Sequence, residues 1–127
     1  MLLPHRLSRP LRLGLYALAA AILFVLCVLP SEDLPDPGTG DRFEHTAAWF
    51  VLTITGYALA PRRRVAIPAF ALAYGAVVEA LQGLVPTGRH SDLRDFLADA
   101  IGVALAVGLF LIVRRIAPHL VDPERRS

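Results

Sequence analysis

V-A-I-P-A-F-A-L-A-Y-G-A-V-V-E-A-L-Q-G-L-V, residues 65 to 85, is a run of 21 residues with a single charge, Glu79. At 1.5 Å rise per residue a helix of this length measures about 31 Å, the thickness of the hydrocarbon core of a bilayer. Gln82 lies three residues beyond Glu79 and shares its helical face. A carboxyl and an amide on an otherwise apolar helix must find polar company on neighbouring segments, which directs attention to the rest of the chain.

Three further apolar stretches are present. Leu11 to Leu29 gives 19 residues interrupted only by Arg12, and Phe96 to Val113 gives 18 with one charge, Asp99. Thr46 to Ala60 gives only 15, too short to span alone. Starting that segment at Asp41 gives 20 residues, and Phe43 supports the start. Asp41, Arg42, Glu44 and His45 then occupy its first turns, at or just inside the interface. The expected fold is all-α: a polytopic membrane protein of four transmembrane helices, over about 11–30, 41–60, 65–85 and 95–114. They form one membrane domain, 11–117, between an N-terminal tail, 1–10, and a C-terminal tail, 118–127, expected to be disordered.

Composition agrees. The chain is 55% hydrophobic and 19% charged, against about a quarter charged in soluble domains. In 127 residues so much apolar surface cannot be hidden, so a bilayer is the expected solvent. All 13 basic residues are arginines and none alternates with aromatics along a polar face, so nucleic acid is not an expected partner. Cys27 is the single cysteine, so no intrachain disulfide forms. Arg6, Arg9 and Arg12 resemble the basic start of a signal peptide. The apolar run after them is long, however, and lacks an A-x-A-like site, and Leu26 before Cys27 is not small. A retained first helix is expected.

Arginine placement sets the expected orientation. Arg6, Arg9, Arg12, Arg62, Arg63, Arg64, Arg114, Arg115, Arg125 and Arg126 fall on one side, and Arg42, Arg89 and Arg94 on the other. The positive-inside rule puts both termini in the cytoplasm and the loops 30–41 and 86–95 outside.

The ionisable residues within the spans agree on depth. His45 lies about 6 Å along its helix from Asp41, Glu79 about 9 Å in from the end of its helix, and Asp99 about 5 Å inside the start of its apolar run. Asp92, Asp95 and Asp99 continue into Gly102 and Ala106 as one stripe, polar in its outer half and small enough for close packing in its inner half. A shared pocket opening outward between the last three spans is expected, bound by Asp41, His45, Glu79, Gln82, Arg89, Asp95 and Asp99. Simpler readings stand beside this one. Asp41, Arg42 and Glu44 suit any helix start; His90, Asp92 and Arg94 suit a solvated loop; Trp49, Tyr57 and Tyr74 suit packing or an interface belt.

Three ordered pieces resemble the VanZ-like family of bacterial membrane proteins. D-R-F-E-H, Asp41 to His45, is similar to the family's D-K-x-x-H at a helix start. G-A-V-V-E-A-L-Q, Gly75 to Gln82, is similar to its G-x-x-x-E-x-x-Q helix. P-T-G-R-H-S-D-L-R-D-F-L-A-D-A-I-G, Pro86 to Gly102, is similar to a P-G-R-x-x-x-x-x-D-x-x-A-N-x-x-G segment. The resemblance covers about residues 41–106. It departs at Arg42 for lysine, at Thr87, an extra residue, and at Asp99, where asparagine is usual, which adds a negative charge. It implies a role in the bacterial cytoplasmic membrane and envelope, with the family's name tied to sensitivity to teicoplanin-type glycopeptides.

Two functions are expected to compete. One is a non-enzymatic pocket for a cell-wall precursor or lipid headgroup, with Arg89 contacting phosphate or carboxylate. The other is an acid–base enzyme on lipid-linked precursors, using Glu79, His45 and Asp95. A metal-dependent version of that enzyme would use His45, Glu79, Asp95 and Asp99, but no H-E-x-x-H or similar close-spaced ligand pair exists, so no metal is expected, and no cofactor. A nucleotide-binding loop, a nucleophile elbow and a dinucleotide fingerprint are absent from the sequence. The bilayer is the expected partner, with Gly75, Gly102 and Gly108 as seats for helices of other membrane proteins.

Overall fold

The structure, a computed structural model, describes residues 7–28, 41–84 and 93–121. These residues form four long helices, α1 (Arg9–Val28), α2 (Asp41–Leu59), α3 (Ala66–Leu84) and α4 (Leu93–Ile116), and one short one, α5 (Pro118–Val121). No strand occurs among them.

Local chemistry explains the helix ends. Ser8 caps α1: its Oγ accepts from the N–H of Leu11 at 3.3 Å and its carbonyl from Arg12 at 3.0 Å. Pro10 and Pro68 fall in the first turns of α1 and α3, where a missing N–H costs nothing. The helix over 41–59 begins at Asp41, although only its later part is apolar. It stops before Pro61, where Arg63 N–H closes onto the Ala60 carbonyl at 3.0 Å. Asp95 in the first turn of α4 and Arg114 and Arg115 in its last complement the helix dipole.

Contacts fix the directions. Thr46 meets Ala98 and Tyr57 meets Phe110, so α2 and α4 run parallel. Tyr16 meets Phe70 and the Tyr74 hydroxyl donates to the Ala20 carbonyl, so α1 and α3 also run parallel. Arg12 Nη1 donates to the Leu59 carbonyl at 3.2 Å, which brings the start of α1 to the end of α2. The four helices therefore alternate in direction along the chain. The Arg12 charge is also accounted for, since a cation belongs at a helix C-terminus.

The α2–α4 contact is the closest in the fold. A Cβ on Gly102 would lie 2.3 Å from the Thr46 carbonyl oxygen, so only glycine allows the two backbones this near. Ala98, Asp99, Gly102, Val103, Ala106 and Phe110 form the buried face of α4. Leu97, Ile101, Leu105, Leu109 and Ile112 form its exposed face. Between Asp99 and Arg114 the helix is thus apolar all round, as suits a lipid-facing wall. The rest of the surface agrees: Leu18, Ile22, Val51, Phe70 and Val77 are exposed, whereas His45, Thr53, Glu79 and Asp99 are buried. A water-soluble domain has the reverse distribution. By length and apolarity α1 (over Arg9–Leu26) and α4 qualify as membrane-crossing helices.

The tail expected from residue 118 opens instead with α5. Val121 packs there with Tyr57, Ile67 and Phe110, and this apolar contact holds the turn against the bundle.

Candidate functional site

The polar side chains converge at one end of the bundle, where α2 and α4 begin and α3 ends. His45 lies in the second turn of α2, Asp99 in the second turn of α4, and Glu79 in the second turn from the end of α3. His45 Nδ1 is 2.7 Å from Asp99 Oδ1, and both side chains are buried. An ionised carboxylate only accepts hydrogen bonds, so with Asp99 charged the Nδ1–H donates and Nε2 keeps its lone pair. One ring nitrogen of His45 and one carboxylate oxygen from each of Glu79 and Asp95 lie within 4.8 Å of one another. Three helices thus contribute one imidazole and three carboxyls to one small volume.

A second layer fixes this cluster. Trp49, one turn after His45, stacks on it with ring centroids 5.7 Å apart and planes 12° apart. The indole Nε1 donates to the Ala71 carbonyl at 2.9 Å, and the Trp49 ring also stacks on the Tyr74 ring at 6.0 Å. Gly75 makes room: a Cβ there would lie 3.0 Å from Asp99 Oδ2 and 3.1 Å from Trp49 Nε1. Thr46 Oγ1 donates to the Ala98 carbonyl at 3.0 Å, tying α2 to α4 beside the His45–Asp99 pair. Asp99 Oδ2 is buried with no hydrogen-bond partner among the described residues.

No family model, curated protein or solved structure matches the chain.

Of the residues expected to bind, His45, Glu79, Asp95 and Asp99 are placed together. Arg89 lies outside the described residues, as do His90, Asp92 and the side chains of Asp41 and Gln82. Glu44 and Arg94 are at the same end, half-buried and exposed respectively. Trp49, Gly75 and Thr46 were not among the expected site residues. Helical spacing pointed to two of them, since Trp49 is four residues after His45 and Gly75 four before Glu79. Gly75 and Gly102 do not offer seats to another protein's helix, because Asp99, Trp49 and α2 already occupy them. Gly108 has nothing within 4 Å and stays open.

The described wall of the site is acid-rich. It can orient an imidazole, hold a positively charged group or pass a proton between carboxyl and ring. The Thr46 hydroxyl beside it donates to a backbone carbonyl, which leaves the carboxyls and the imidazole as the reactive groups of the described wall.

Proposed function

We propose that this chain is a four-span protein of the bacterial cytoplasmic membrane, VanZ-like in kind, with both termini inside. On this reading an outward pocket between α2, α3 and α4 binds an envelope headgroup or cell-wall precursor. One observation carries the proposal: His45, Glu79, Asp95 and Asp99 meet at one end of a bundle whose outer surface is apolar. Intramembrane charges are costly and persist where they line a cavity, pair with one another or handle a ligand. The orientation rests on how the arginines divide along the sequence, ten to one side of the proposed spans and three to the other. The carboxylates suit the ammonium groups of a peptide-bearing precursor, and Arg89, in the segment joining α3 to α4, suits its phosphate.

Binding of a lipid-linked peptidyl-saccharide pyrophosphate to the protein in nanodiscs tests this. Glu79→Gln and Arg89→Ala each weaken binding at least tenfold and alter teicoplanin susceptibility of the host. Unchanged binding in both variants removes the reading. Orientation is checked separately by reporter fusions after residues 38 and 88, which report outside, and after residue 63, which reports inside.

One feature favours a second reading. The His45–Asp99 hydrogen bond beside Glu79 is a carboxylate-oriented imidazole next to a second titratable group, a workable acid–base arrangement. In this reading Glu79, His45 and Asp95 act on lipid-linked precursors, and the purified protein turns them over at a rate that His45→Gln abolishes. Absence of turnover by the wild-type protein excludes it.

A further inference from the structure

We propose that His45, Glu79 and Asp95 form a binding site for one divalent first-row transition ion, with Asp99 as the residue that positions His45. Three observations carry the assignment. Potential ligand atoms from three different helices lie within 4.8 Å of one another. In a tetrahedral site with bonds of 2.0–2.2 Å they would stand about 3.4 Å apart, so small side-chain rotations bring them into range. Two of the three side chains, His45 and Glu79, are buried, which favours displacing the ion's water shell by protein donors.

The third observation concerns Asp99, which is not one of the three ligands. Asp99 is fully buried, aims Oδ1 at His45 Nδ1, and leaves Oδ2 with no partner among the described residues. A carboxylate bonded to one imidazole nitrogen fixes the ring's tautomer and turns the other nitrogen into a ligand. That carboxylate–histidine–metal relay is the usual support of a metal-bound histidine. Trp49 stacked on the ring, and Gly75 leaving space for the Asp99 carboxylate, hold the relay in place.

Donor chemistry narrows the ion. An imidazole with two carboxylates suits Zn²⁺ or Mn²⁺ better than Mg²⁺ or Ca²⁺, which prefer all-oxygen cages. Three protein donors leave at least one coordination position open, as in sites where a metal meets an exogenous ligand. The expectation of no metal rested on the lack of a closely spaced pair in sequence. Ligands drawn from three helices need no such pair.

The proposal does not depend on what the pocket recognises, because it is tested without any envelope component. Full-length protein in nanodiscs, stripped with a chelator, is titrated with Zn²⁺, Mn²⁺, Mg²⁺ and Ca²⁺, and bound metal is counted by mass spectrometry. One Zn²⁺ or Mn²⁺ per chain is expected, with Kd at least 100-fold below those for Mg²⁺ and Ca²⁺. The isosteric variants Glu79→Gln and Asp95→Asn, and His45→Gln, each raise Kd at least tenfold. Asp99→Asn raises it by roughly 10- to 100-fold while keeping one ion per chain, as loss of an outer partner does. Size-exclusion profile and melting temperature of each variant establish that it is folded. A measurement on the unmodified protein guards against misfolded variants: Cu²⁺ bound at the site shows electron-spin coupling to one imidazole. Substoichiometric binding, Kd values unmoved by the three ligand variants, or no coupled imidazole overturns the proposal.

Discussion

The two ends of the α2–α4 pair solve the same packing problem with opposite chemistry. At one end the parallel helices are joined by Thr46 to the Ala98 carbonyl and by His45 to Asp99. At the other they are joined by Tyr57 stacked on Phe110, rings 3.9 Å apart and 3° from parallel, with Ile67 and Val121 completing an apolar cluster. The apolar end shows that these helices need no buried charge to pack. The polar end packs a histidine and three carboxyls between the helices, where burial makes charge expensive. The difference teaches that the polar end is kept for something other than holding the helices together, whereas the glycine contact between the two ends serves both.

That contact supplies the largest effect. Gly102→Leu forces a side chain into the space of the Thr46 carbonyl, a backbone atom that cannot swing aside. Separation of α2 from α4 dismantles both ends at once, with a cost of about 3 kcal/mol or more. The expected outcome is loss of monodisperse protein in mild detergent. A variant that purifies and melts like wild type breaks the picture of a backbone-on-backbone crossing.

Next comes the apolar end by itself. Tyr57→Ala leaves a cavity against Phe110 and removes the hydroxyl's hydrogen bond to the Arg64 carbonyl. The cavity and the lost hydrogen bond together cost about 2 kcal/mol. Melting temperature falls, while Zn²⁺ or Mn²⁺ affinity stays within threefold of wild type. A large fall in affinity would mean that the two ends are not separable.

Glu79→Gln is the counterpart at the polar end. It replaces a carboxyl by an amide at a buried position and keeps the shape. Stability changes by less than about 1 kcal/mol, since natural sites of this kind commonly cost stability rather than supply it, while ion affinity collapses. Should Glu79→Gln lower the melting temperature as much as Tyr57→Ala, the polar end is structural and the contrast fails.

Much of this was readable from residue order because it depends on helical period. The shared depth of His45, Glu79 and Asp99 follows from counting residues inward from three helix ends. The buried face through Ala98, Gly102 and Ala106 follows from their spacing of four. The start of α2 at Asp41 agrees with the start to which the short apolar stretch 46–60 was extended. What could not be read are contacts between segments far apart in sequence. Nothing in the sequence says that His45 faces Asp99 rather than Glu79, or that the Trp49 indole reaches over Gly75 to the Ala71 carbonyl. The members of the triad, His45, Glu79 and Asp95, were named from the sequence, but not the approach of their ligand atoms to within 4.8 Å of one another, since they lie on three helices. Arg12 looked like an interruption of its span until the Leu59 carbonyl gave it a partner. The turn at 118–121 was missed because the apolar surface that Val121 meets, Tyr57 and Phe110, belongs to other helices.

The smallest effect sharpens the comparison most, because it acts beside the site without altering any of its ligands. Thr46→Val keeps the size of the side chain and deletes one hydrogen bond between α2 and α4, at 3.0 Å. Interhelical hydrogen bonds within membranes average about 0.6 kcal/mol, with about 1.7 as the upper end. The packing that surrounds Thr46 persists, since Gly102 still admits the α2 backbone. The expected fall in stability, measured by reversible unfolding in mixed micelles, is therefore about 0.6 kcal/mol, with ion affinity unchanged. If His45 depends on its neighbour for its position, affinity falls with the hydrogen bond although no ligand has been touched. The positioning role would then extend from Asp99 to the α2–α4 seam. A stability loss well above the upper end would instead show that the polar end carries the packing, and the functional reading of its charges would lose its main support.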